Sequence, residues 1–181
     1  MNLAVHDSHD ADFATLTAAD TVRIERVLPG PIDRVWAYLT DGNLRRQWLA
    51  SGDMELREGA PFELVWRNDE LTDPPGRRPD GFDAEHRMQS TIVAVDAPHR
   101  LVFTWGRGAE VTFELAPRGK SVRLTITHRR LPDHATLLKV GAGWHSHLDV
   151  LAARMAGGTS SEPFWDHWSR LYGEYDRRIP A

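Results

Sequence analysis

The sequence predicts an α+β fold in which a curved antiparallel sheet wraps around one long C-terminal helix. Three observations carry this expectation. Five consecutive segments between residues 61 and 129 alternate apolar and polar residues with the period of a strand having one wet face. The links between several of them are as short as Gly106-Arg107-Gly108 and Arg118-Gly119, which makes neighbouring strands antiparallel. Finally, from Leu137 to Met155 apolar residues recur every three or four positions, giving one stripe about five turns long. A sheet with one apolar face must cover it, and this helix is the only predicted element large enough to do so.

Taken in order, residues 1–19 read as a polar N-terminal segment, loosely docked over residues 1–12, with three aspartates and two histidines before residue 13 and no signal-peptide core. "TVRIERVL" (21–28) alternates Val22 and Ile24 with Arg23 and Glu25 and is the first expected strand. "PIDRVWAYLT" follows with Pro31 at a first helical turn and Ile32, Val35, Trp36 and Leu39 at helical spacing, closed by Asp41-Gly42. Leu44, Trp48 and Leu49 suggest a second short helix. Strands are expected at 61–68, 86–96, 100–106, 109–117 and 120–129. The polar, proline-rich stretch 68–81 reads as an insertion at the sheet rim, because strands flank it on both sides. After the long helix Gly157-Gly158 is a stop, and Ser160 or Ser161 with Glu162 and Pro163 is a start signal for an additional amphipathic helix spanning 160–179. Its stripe is Phe164, Trp168, Leu171, Tyr172, Tyr175 and Ile179, too apolar a face to leave in water, so it should dock on its own domain or on a second copy.

Composition narrows the function classes. The 181 residues carry 26 acidic and 22 basic side chains, a net charge of −4 with no long single-sign run, which argues against a nucleic-acid or anionic-membrane surface. Cysteine is absent, removing disulfides, thiolate catalysis and cysteine-ligated metal centres, and fitting a cytoplasmic setting. No apolar run is long enough for a membrane span. "GRG" (106–108) precedes no helix and so is no phosphate loop, and Ser146 lies in no Gly-x-Ser-x-Gly elbow.

The stretch "GAGWHSHLDVLAARM" (141–155) holds the most informative residues. His145 and His147 are about 200° apart on a helix and cannot grip one ion, so no metal is expected. With Trp144 at the centre of the stripe, His147 falls about 60° to one side and His145 about 100° to the other. His147 can then face a cavity edge, while His145 sits at the boundary with solvent or the sheet rim; the plainer reading of both is as ordinary boundary histidines. Gly141 and Gly143 each cost about 1 kcal/mol in a helix interior relative to alanine. Either the helix closely approaches another element there, or space is left for a ligand beside Trp144. Seven tryptophans is a high count, and Trp36, Trp48, Trp66, Trp105 and Trp144 fall in elements that face the space between sheet and helix. They are plain core or the wall of an aromatic pocket. With His86, His147, Leu148 and Leu151 they form the candidate ligand-binding set; no catalytic set emerges.

The order of elements, with "ERVLPGPIDRVWAYLTDGNLRRQWL" (25–49), "VDAPHRLVFTWG" (95–106) and "GWHSHLDVLAARM" (143–155), resembles the helix-grip superfamily of START-like (SRPBCC) and birch-pollen-allergen-like proteins, in particular the branch of heat-shock-protein-90 ATPase activator homologues. The resemblance spans about residues 20–156, taken as the helix-grip domain, and leaves 157–181 as an additional helix. His99 stands where the family usually has a second proline beside Pro98. The resemblance implies a cavity between sheet and C-terminal helix that takes a hydrophobic or aromatic small molecule without a cofactor, in a monomer or homodimer. The alternatives it admits are a cyclase, dehydratase or hydrolase of the same fold, and a co-chaperone-like interaction module.

Overall fold

The structure, a computed structural model, describes residues 10–181. Seven strands form one antiparallel sheet: β1 (Thr15–Ala18), β2 (Thr21–Pro29), β3 (Pro61–Trp66), β4 (His86–Asp96), β5 (Arg100–Trp105), β6 (Ala109–Arg118) and β7 (Ser121–Arg129). Their order is β1-β2-β7-β6-β5-β4-β3, so β3 to β7 run as a meander and β2 closes on the last strand. The helices are α1 (Ile32–Thr40), α2 (Gly42–Arg45), α3 (His134–Met155) and α4 (Phe164–Arg178). This is the expected α+β, helix-grip architecture.

Period-two patterning sets the core. Ile24 and Leu28 of β2, Leu124 and Ile126 of β7, Val111 and Phe113 of β6, and Leu101 and Phe103 of β5 are buried on one face. That face packs on α3, and α1 lies against β6 and β7. Arg26 takes an inward position between Ile24 and Leu28, which is tolerated because Asp149 of α3 pairs with its guanidinium at 3.0 Å and the Asp12 carbonyl accepts from it at 2.7 Å.

Three expectations need correction. Strand β1 lies inside the segment read as a polar N-terminal tail; its four residues are exposed and pair with β2 as an edge, so burial left no pattern in the sequence. Of the looseness expected over 1–12, the first nine residues lie outside the described ones. Helix α3 begins earlier than the stripe suggested, because the Asp133 carboxylate accepts from Thr136 N–H at 2.8 Å and caps it. Helix α4 begins later, at Phe164, and neither serine caps it. Its first free N–H groups are instead satisfied by the 68–85 stretch: Phe164 donates to Thr72 Oγ1 at 2.9 Å and Trp165 to the Pro75 carbonyl at 2.9 Å.

Helix α4 docks on its own domain. Phe164, Trp165, Trp168, Leu171 and Tyr175 are all buried, packed against α3 and the 68–85 loop. Covered by the sheet on one side and α4 on the other, α3 is buried nearly all round from Gly141 to Leu148. No helix among the described residues is long and apolar enough to cross a membrane.

Candidate functional site

The antiparallel register brings three aromatic residues to one end of the sheet. Trp66 closes β3 and is paired with His86, which opens β4; their rings are 5.5 Å apart. Trp105 closes β5 and stands edge-on to Trp66 at 5.3 Å. Opposite this wall lie Phe82 of the loop and Trp165 and Trp168 of α4, a second aromatic cluster with centroids 4.9 to 6.3 Å apart. Between the walls is a cavity of about 310 Å³, bounded along α3 by Lys139, Gly143 and His147. A smaller chamber of about 140 Å³ continues inward to Leu49, Val140 and Trp144, and Trp66, Trp105, Lys139, Gly143 and His147 border both.

Of the residues singled out in the sequence, Trp66, His86, Trp105, Trp144 and His147 border this space. Trp36, Trp48, Leu148 and Leu151 do not. Trp48 is fully buried and its indole N–H donates to the Tyr38 carbonyl at 2.9 Å, while Trp36, Leu148 and Leu151 are packed in the core. Leu148, Leu151 and Met155, in the C-terminal half of the α3 stripe, are buried in the core, so the cavity is lined by the part of the helix from Lys139 to His147. Conversely, Phe82, Trp165 and Trp168 also line the cavity, although Phe82 directly follows the stretch read as a rim insertion and Trp165 and Trp168 belong to the additional helix. The signal available was the density of aromatic residues at the start of α4; its partner in the loop is set only by the tertiary fold.

The two glycines separate cleanly. A Cβ on Gly141 would sit 3.2 Å from the Tyr175 ring, so this glycine permits the close approach of α4. A Cβ on Gly143 would meet nothing within 4 Å, so this one borders open space.

Hydrogen bonding fixes the tautomers of His147 and of His128, which lies behind Trp144. His147 Nδ1 lies 2.7 Å from the Trp48 carbonyl, an acceptor only, so Nδ1 carries the proton and Nε2 is a bare acceptor. Burial pushes this imidazole down to about 4, outweighing the Trp48 bond, and it is neutral at pH 7. Trp144 Nε1 donates to His128 Nδ1 at 3.2 Å, which places the His128 proton on a buried Nε2 with no partner; burial pushes that group down to about 3. The buried Asn68 Oδ1, on the larger chamber, is also unpartnered.

Arg45, which the sequence reading passed over, is fully buried in the segment that carries the Trp48 carbonyl. Its guanidinium donates to the Leu39, Thr40, Ala50 and Gly52 carbonyls and so holds the turn that orients His147. Desolvation lowers its pKa to about 10, so it is still charged at neutral pH.

His145 is not at a solvent boundary. It is buried against α4, with Tyr175 Oη 3.0 Å from Nδ1 and Asp149 3.5 Å from Nε2. Asp149 also meets His167 of α4 at 2.8 Å. Tyr175 in turn accepts from Ala14 N–H at 2.8 Å, so this cluster ties the N-terminal segment, α3 and α4 together, away from the cavity. Among the described residues no three His, Asp or Glu side chains gather as a metal-binding group.

The sequence profile of the family described as Activator of Hsp90 ATPase homolog 1-like protein matches residues 29–156. No curated protein matches the chain. Among solved structures, the chain is similar to the protein encoded by gene BPP1335 of Bordetella parapertussis, with 39% identity over 91% of this chain and 89% of that one and a TM-score of 0.75. CalU16 from Micromonospora echinospora shares 24% identity over 89% of each chain with a TM-score of 0.65. An AHSA1-like protein from Aeromonas hydrophila shares 21% over 76% of this chain and 94% of that one, with a TM-score of 0.58. The last two likenesses are of fold alone.

Proposed function

This chain belongs to the Activator of Hsp90 ATPase homolog 1-like family, and on that premise we propose that it binds an aromatic small molecule in the cavity between the sheet, α3 and α4. The observation that carries the reading is the pair of facing aromatic walls, Trp66 and Trp105 on one side and Phe82, Trp165 and Trp168 on the other. A flat ring between them gains stacking and edge contacts on both faces, in a space within the usual range of small-molecule sites. Five of the nine sequence-selected residues belong to this proposed site; Phe82, Trp165 and Trp168 are added to it.

Binding is favoured over catalysis by the state of His147. A general base works best with a pKa near the operating pH, and a histidine pushed to about 4 takes protons weakly at pH 7. It serves better as a fixed hydrogen-bond acceptor. A role as an interaction module through α4 is disfavoured because the apolar face of that helix is consumed by intramolecular docking.

The test is a thermal-shift screen of aromatic compounds on the wild type and Gly143→Leu. A leucine at 143 enters the cavity from α3 without meeting a neighbour at its Cβ. Ligands should raise the wild-type melting temperature and leave the folded variant unmoved. Equal shifts in both proteins, or none in either, would reject the cavity as the binding site.

A further inference from the structure

We infer that the ligand is a neutral arene bearing a hydrogen-bond donor, an O–H or N–H, which it presents to Nε2 of His147. The inference rests on the cavity reading above and specifies the chemistry that the cavity selects. With Nδ1–H committed to the Trp48 carbonyl, Nε2 can only accept. It has no protein partner and, unlike the Nε2 of His128, is not sealed from the cavities that His147 borders. A hydrocarbon or an ether covering this atom would strip water from an acceptor and return nothing, whereas a donor would replace the bond.

Charge selection points the same way. The lining holds one ammonium, Lys139, and one carboxylate, Asp83, so neither sign of ligand charge is favoured by the set as a whole. The aromatic walls would suit a quaternary ammonium by cation–π attraction, but such a group has no proton for His147. A carboxylate would place an acceptor against an acceptor. A neutral hydroxyarene or aminoarene satisfies the walls and the imidazole together.

The experiment compares 2-naphthol with 2-methoxynaphthalene, which differ in the donor, by titration against the full chain and His147→Phe. The wild type should bind the naphthol roughly 10-fold more tightly, the usual effect of one buried hydrogen bond gained against one acceptor left bare. In His147→Phe the two affinities should converge. A second readout needs no variant: in long-range proton–nitrogen NMR spectra of the wild-type imidazoles, the unprotonated Nε2 signal of His147 should move upfield with the naphthol and stay in place with the ether. Equal wild-type affinities with an unmoved Nε2 signal would overturn the donor requirement while leaving the aromatic cavity standing. A preference that survives in His147→Phe would overturn the assignment to His147. Failure of both compounds to bind the wild type would overturn the cavity reading and this inference with it.

Discussion

Gly141 and Gly143 stand two residues apart on α3 and respond to opposite constraints. Because an added Cβ at 143 meets nothing, Gly143→Ala should gain helix propensity without a clash and raise stability by up to about 1 kcal/mol. At 141 the same methyl would press on the Tyr175 ring, whose hydroxyl is held by Ala14 and His145, so Gly141→Ala should lower stability instead. Urea denaturation of both variants checks the opposite signs; a matching change in the two would contradict the assignment. Arg45→Met removes a donor shared by four carbonyls and should cost about 3 kcal/mol or more, read in the same denaturation experiment. Both glycines were conspicuous in the sequence as costly residues in a helix, yet which one served packing was not legible, since the deciding Tyr175 lies on another helix. Arg26 was nearly legible: its even number places it in register with Ile24 and Leu28, facing inward.

At the scale of elements, α4 is a structural wall as much as an appendage. Five of its large side chains are buried, each contributing roughly 1.5 to 3 kcal/mol of transfer free energy before entropy is subtracted. Truncation after Gly158 would expose their partners on α3, leave the 68–85 loop without the N–H groups it accepts from, and remove Trp165 and Trp168 from the cavity. The truncated chain should be insoluble or strongly destabilised, as followed by expression yield and melting temperature. A truncated protein as stable as the full chain would mean that α4 contributes little. The strands and α3 were readable because one-sided burial writes a period into the sequence. Strand β1 was not, since an exposed edge of four residues carries no such period. The start of α4 was misplaced because its cap comes from a loop remote in sequence, while Ser160 and Ser161 offered a local signal that the fold does not use.

The molecule as a whole should be sensitive to acid. In an unfolded chain imidazole titrates near 6.5, whereas in the folded protein burial pushes His128 and His145 down to about 3 and His147 to about 4. Between those values the unfolded chain binds protons that the folded one does not. The stability they contribute is therefore complete above about pH 6.5 and declines as the pH falls toward 4, by about 1.4 kcal/mol per pH unit for each histidine once well below 6.5. Urea midpoints measured at pH 7.5 and pH 5 should differ accordingly; an unchanged midpoint would contradict the burial of these groups.

Tertiary structure divides the seven tryptophans that composition groups together. Trp66, Trp105, Trp165 and Trp168 border the larger cavity, Trp144 the inner chamber, and Trp36 and Trp48 only the core. Seven indole N–H signals therefore report directly on where a ligand sits. On titration with 2-naphthol, proton–nitrogen NMR spectra should show shifts concentrated in the indoles of Trp66, Trp105, Trp165 and Trp168, with Trp36 and Trp48 unmoved. Shifts centred on Trp36 and Trp48, or no shift in any of the seven, would contradict an aromatic ligand held between the two walls.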